Sequence, residues 1–259
     1  MLNLLTAERI KLLRSKKLWI VISILILLPI YQVVNSKISV NYGSDLVQAK
    51  DTVINGATGI LMMEKNGFTI LFVICAFISF FIGEEFQNGT IRNALSLGRS
   101  RTHYYLSKLV TASLLSLVGV IIMTILGVIG FSVVFGFGEV AGITNYLSYA
   151  TKTFGTLYLL ILANVSIYVM IGFLTKNIGI SLVWSFLYTI MTAFVPPVFL
   201  QTEHFKHVTF WFTETFLNYS DFASPVDIAR FPEMVLVSII TIMLSLGLGI
   251  LFFNRTDIK

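Results

Sequence analysis

Gly83-Glu84-Glu85-Phe86-Gln87-Asn88-Gly89-Thr90-Ile91-Arg92, continuing through Arg99-Ser100-Arg101 to Lys108, is a polar, basic stretch between two long apolar runs, 67–83 and 109–135. It is too short to be a domain, and too rich in helix formers and charge to be slack. A short helical element held at a membrane surface is one that a soluble partner can push.

The rest of the chain is largely apolar. Of 259 residues, 56% are apolar and 12% charged, against about 25% charged in a soluble domain. So few charges do not cover a water-exposed surface of this size, and the main solvent is lipid. A helix needs about 20 apolar residues to cross a bilayer. Six runs qualify: 18–34, 67–83, 109–135, 153–174, 179–200 and 234–253. The first two are at the short limit, and Trp19 and Tyr31 are placed to anchor the first at its interfaces. The third must tilt, kink or project. The basic start before residue 18 resembles a signal peptide, but no small-residue cleavage site follows, so the run reads as a retained span.

Six spans put both termini on one side. Segments 1–17, 84–108, 175–178 and 254–259 hold 12 of the 18 Lys and Arg, and 35–66, 136–152 and 201–233 hold the other 6. Basic loops mark the cytosol, so both termini are expected there. The net charge of +5 reflects this topology. No basic-aromatic groove segment points to nucleic acid. No Asp, Glu, Lys or Arg lies in the core of an expected span, which argues against ion-driven transport. Small and weakly polar residues in the spans (Thr111, Ser116, Asn164, Ser166, Ser181, Ser185, Ser245, Gly119, Gly249) read as helix packing or as a mildly amphipathic path. Cys75, the single cysteine, reads as a small buried side chain.

Residues 1–17 place Leu2, Leu5, Leu12 and Leu13 on one arc of a helix, with Lys11 and Arg14 turned away and Arg9 and Lys16 inside the arc. That pattern fits an amphipathic elbow or a basic anchor. In 84–108, Glu84 and Glu85 are expected to open a helix, where the backbone dipole favours acids. Gly89 interrupts, Thr90 caps a second helical group through Leu95, and Gly98 ends it. Arg99, Arg101 and Lys108 are expected at the lipid headgroups.

Glu85-Phe-Gln-Asn-Gly89-Thr90-Ile91-Arg92, with Arg101-Thr-His-Tyr-Tyr-Leu-Ser-Lys108, resembles the cytosolic signature of ABC-2 type transporter permeases. The basic start, the short loop at Lys176-Asn177 and the ending Phe253-Asn-Arg255-Thr-Asp257-Ile-Lys are similar to that family, which often has Pro where Gly98 stands. Size and pattern resemble bacterial permeases for bacitracin-like or phenol-soluble-modulin-like peptides. The resemblance implies an all-α integral membrane domain over 1–259, with an elbow at 1–17 and a coupling helix in 84–108. It also implies a second copy of itself or a similar permease, two copies of a cytosolic ATP-binding subunit, and an amphipathic substrate such as a peptide. Glu84, Glu85, Gly89, Thr90, Ile91, Arg92, Leu95, Arg99 and Arg101 would then couple to the ATPase. The chain has no GxxxxGK[ST] loop, so ATP and magnesium are expected in the partner and no cofactor in this chain. The alternative from another class is a non-transporting membrane anchor or sensor for an ATPase.

Enzymatic readings are weaker. Glu84-Glu85 with Arg92 is similar to the EExxxR of intramembrane CAAX-type proteases, but the spacing is EExxxxxxR and no expected span carries histidines. Glu203, His204 and His207 lack an HExxH. Loop 201–233 crowds Phe205, Phe210, Trp211, Phe212, Phe216, Tyr219 and Phe222. It reads as an interfacial or re-entrant helix, with Phe210, Trp211 and Phe212 as a candidate external gate, and Pro196-Pro197 ending the fifth span.

Overall fold

The computed structural model describes residues 2–41, 54–60, 67–98, 100–140, 143–199, 206–218 and 230–256. Expectations for Arg99, Glu203, His204, Phe205, Tyr219, Phe222 and Asp257, and for the side chains of Leu2, Leu5 and His207, lie outside the described residues.

Ten helices follow one another among the described residues: α1 (Leu2–Leu13), α2 (Lys16–Asn41), α3 (Gly67–Gln87), α4 (Thr90–Ser96), α5 (Arg101–Phe135), α6 (Tyr146–Thr175), α7 (Ile178–Phe199), α8 (Lys206–Thr209), α9 (Thr213–Asn218) and α10 (Phe231–Arg255). Six of them, α2, α3, α5, α6, α7 and α10, are long and apolar enough to cross a membrane. They correspond to the six expected runs, but their ends reach further. A charged residue at a span's end continues the helix and carries its head group to water or to a partner, so apolar runs understate helices. Thus α2 begins at Lys16 and passes through Pro29, and α7 runs through Pro196 and Pro197 to Phe199 instead of stopping at them. Both of these prolines lie in the last turn, where little helix remains to be broken.

The boundaries have local causes. The Ser100 hydroxyl accepts from His103 N–H and starts α5, while Asn145 Oδ1 accepts from Ser148 N–H at 3.1 Å and starts α6. The tight turn between α6 and α7 is made by Lys176 in the left-handed region (φ 53) and by Asn177 Oδ1, which accepts from Ile180 N–H. The core centres on α6, the most buried span, which packs on α3, α5, α7, α9 and α10. On one flank, α2 lies against α5 and α3.

Helix contacts use the small polar residues as packing. Ser166 meets Ser245 at 2.6 Å between α6 and α10, and Ser181 donates to Ser79 at 3.1 Å between α7 and α3. Thr111, Ser113, Ser116 and Ser238 return their hydroxyls to carbonyls of their own helix. Cys75 is buried in α3, as expected.

Candidate functional site

The end of the bundle that carries α1 and the end of α10 also gathers the close of α3, all of α4 and the start of α5. Glu84 and Glu85 do not open a helix here; they close α3. A helix C-terminus is the dipole's negative end, so acids there need compensation. Lys17 pairs with Glu84. Glu85 is buried and receives Lys11, Tyr104 and Lys108.

Lys108 is the centre of this arrangement. It is fully buried, not at the headgroups. Its Nζ lies 2.5 Å from Glu8 Oε1 and 2.6 Å from Glu85 Oε1, contacts that are ion pairs by distance without hydrogen-bond alignment. The Phe81 ring lies 4.4 Å beneath the ammonium. Lys108 and Glu85 lie just outside the expected spans 109–135 and 67–83, in the end turns by which α5 and α3 outrun them. Two acids and two bases balance, which makes burial tolerable. In this way α1, α3 and α5 are tied at one point. Sequence reasoning missed Glu8, although it is the only acid in the first 17 residues, among five bases.

The elbow is helical over α1, and its face toward the bundle carries Glu8 beside Leu12. Glu8 and Leu12 are buried, whereas Leu13, Arg9 and Lys16 are exposed. Lys11 turns to Glu85 and so does not face away.

Gly89 takes φ 66, and α4 follows as a separate seven-residue helix. Thr90 does not cap it. Its hydroxyl donates to the Glu85 carbonyl at 3.2 Å, and the cap position belongs to Gly89. Gly98 takes φ 79 and ends the unit, with its N–H donating to Leu95 O at 3.0 Å. Ile91 is buried and Leu95 half-buried against the core, while Arg92, Asn93 and Leu97 are exposed, Leu97 to 82%. Arg101 is half-buried, and its Nη1 donates to the carbonyls of Phe253, Asn254 and Thr256, closing the end of α10.

Chemically, α4 is a small helix with one residue in the core and a polar face outward, seated beside an ion-paired hub. Its two hydroxyls, Thr90 and Ser96, donate to backbone carbonyls, and no metal-ligating group of three or more His, Cys, Asp or Glu occurs among the described residues. The family model described as ABC-2 family transporter protein matches residues 4–192. This chain belongs to that family. The match takes in α1 to α6 and most of α7, and so the whole hub, while α8, α9 and α10 fall beyond it. Comparison with curated proteins gives no match. The ABC-2 chain is therefore a multi-pass membrane component, distinct from the ATPase of such systems.

At the second candidate site, the side chains of Phe210, Trp211 and Phe212 point to three different surroundings. Phe210 turns onto Phe216, with ring centroids 5.7 Å apart, Trp211 is 59% exposed, and Phe212 lines an apolar cavity of about 350 Å³ with Met191, Val195 and Phe199. Next to it, α6, α7 and α10 line a groove of about 650 Å³ that shares Met191. In this element Thr213, Glu214, Thr215, Phe216 and Leu217 are all buried against the bundle, while Val208 and Trp211 are exposed. Glu214 is a second residue that sequence reasoning missed, because its aromatic neighbours pointed to an interface.

Proposed function

We propose that this chain is the membrane half of an ATP-driven exporter in the bacterial plasma membrane, moving an amphipathic molecule, a peptide of the antimicrobial or toxin kind, out of the cell. Two copies of a separate cytosolic subunit bind ATP and magnesium, and a second copy of this chain or a similar permease completes the complex. The observation that carries this reading is α4: a helix isolated by Gly89 and Gly98, pinned by Ile91, and presenting Arg92 and Asn93 outward, with Leu97 exposed just past its end. ATP-driven closure of the partner subunits would push it, and the Lys108 hub beside it would pass the movement to α1, α3 and α5. The apolar groove along α7, ending beneath Phe212, supports an amphipathic cargo. Both termini and α4 are assigned to the cytosolic face.

Glu85 serves inside the protein, so the contact with the ATPase falls to the exposed face. In lipid discs with the partner, Arg92→Ala should abolish substrate-stimulated ATP hydrolysis while membrane insertion stays normal. Ile91→Ala should do the same and also lower stability by about 2–5 kcal/mol, as a core truncation does. Unchanged stimulation and co-purification with Arg92→Ala would refute the role. A complex that binds the ATPase, but whose hydrolysis no peptide stimulates, would instead be a membrane anchor or sensor.

A further inference from the structure

Glu214 lies in α9, which packs against α3, α6, α7 and α10, and its side chain has no exposure. Unlike Glu8, Glu84 and Glu85, it forms no ion pair with any Lys, Arg or His among the described residues. Its surroundings are hydroxyls and amides. Thr213 Oγ1 donates to Glu214 Oε2 at 3.1 Å and accepts from Asn164 Nδ2 at 3.0 Å. The Tyr188 and Thr192 hydroxyls of α7 stand against the carboxyl, and Tyr168 of α6 faces it with Cys75 of α3 beyond. From α10, the Arg230 guanidinium sits over the Phe210 ring and Glu233 is exposed. Glu214 Oε1 has no aligned hydrogen-bond partner among the described residues. The Thr192 proton is directed to the Tyr188 carbonyl at 2.8 Å, so toward the carboxyl Thr192 offers a lone pair. A protonated carboxyl can use that lone pair. A carboxylate cannot, and would bury a full charge that the neighbouring hydroxyl donors offset only in part.

We propose that Glu214 is a proton-binding site that latches α9 into the bundle, so that the external element is seated when the carboxyl is neutral and loosens when it ionises. The carboxyl binds one proton from the medium and releases it; no bond other than O–H forms or breaks. Burial pushes its pKa from the usual 4.5 up to about 7, the largest cause being desolvation. An acid whose pKa rises on packing favours the packed state at low pH. The contribution is full below about 4.5, declines as pH rises, and is gone above about 7. The site therefore responds at neutral pH, where an exposed carboxyl does not. The inference rests on the packing of α9 alone and does not require that the chain export anything.

The test uses the full chain in lipid discs. Difference infrared spectroscopy should show a protonated side-chain carboxyl band that titrates with a midpoint near 7, is lost in Glu214→Gln and is retained in Glu233→Gln. Hydrogen exchange of amides 213–218, corrected for its intrinsic pH dependence, should rise about tenfold between about pH 5 and pH 8 in the wild type and stay flat in Glu214→Gln. A spectrum without such a band, a band that survives Glu214→Gln, or identical exchange profiles would overturn the proposal. Should Glu214→Gln not assemble, Tyr188→Phe carries the test. Losing a donor to the carboxylate should move the midpoint upward, and an unmoved midpoint counts against the site.

Discussion

The Tyr105 hydroxyl occupies the space where a side chain at Gly249 would begin. A β-carbon built on Gly249 would lie 2.1 Å from that oxygen and 2.6 Å from the ring carbon bearing it. Here the Tyr105 ring of α5 lies directly on the backbone of α10, and Tyr105 is fully buried. Gly249→Ala should therefore destabilise the protein by about 1–3 kcal/mol, the usual cost of overpacking. Tyr105→Phe alone should be close to neutral, because its hydroxyl has no hydrogen-bond partner. The double variant should stay destabilised, since the ring carbons remain in the way. Thermal unfolding in detergent distinguishes the three. A Gly249→Ala protein as stable as the wild type would show that the two helices can slide apart without cost.

The Lys108 hub makes a prediction of opposite character. Lys108→Met leaves Glu8 and Glu85 buried together without their shared cation, and should cost about 3–5 kcal/mol. Adding Glu8→Gln and Glu85→Gln should recover most of that loss, because the unpaired charges are removed with it. Melting of the single and triple variants checks this. Equal losses in both would mean that the ammonium's contact with the Phe81 ring, and not its pairing with the two carboxylates, holds the site.

Topology is open to cysteine labelling in intact cells on a Cys75→Ser background. Cysteines at Arg92 and Trp211, both exposed, should react from opposite sides, with Trp211 external. Thr215 is a poor probe, being buried at 1%. External labelling at Arg92 would overturn the assignment of α4 to the cytosol.

The parts legible in the sequence share one property: their cause is local. Apolar runs of spanning length mark six helices, and Gly89 and Gly98, free to adopt positive φ, bracket α4. What was not legible depends on distant pairing. Lys108 lies close in sequence to Arg99 and Arg101 and looks like a headgroup ligand. Its partner Glu8 is separated from it by two spanning helices and meets it only once α1 packs on α5. Arg101 likewise finds the end of α10 across about 150 positions. Thr90 fits a cap by type, yet the carbonyl of Glu85 in the preceding turn competes for its hydroxyl and wins. Glu214 sits among aromatic residues that favour an interface, and nothing in its neighbourhood announces burial between α6 and α7.

The length of α5 has a mechanical consequence. Its 35 residues make a rod of about 52 Å at 1.5 Å per residue, well beyond a hydrocarbon core of about 30 Å. The rod starts three residues after Gly98 and ends at Phe135, where the next carbonyls, of Gly136 and Phe137, accept from Gly56 and Ala57 N–H at 2.8 and 2.7 Å. A stiff rod of that length is a lever with its handle beside α4. Tilting it by about 5° would carry the far end about 4–5 Å sideways, close to one helical turn. A displacement too small to break any contact at the base would arrive at the opposite face as a stroke large enough to shift segment 54–60 past its neighbours.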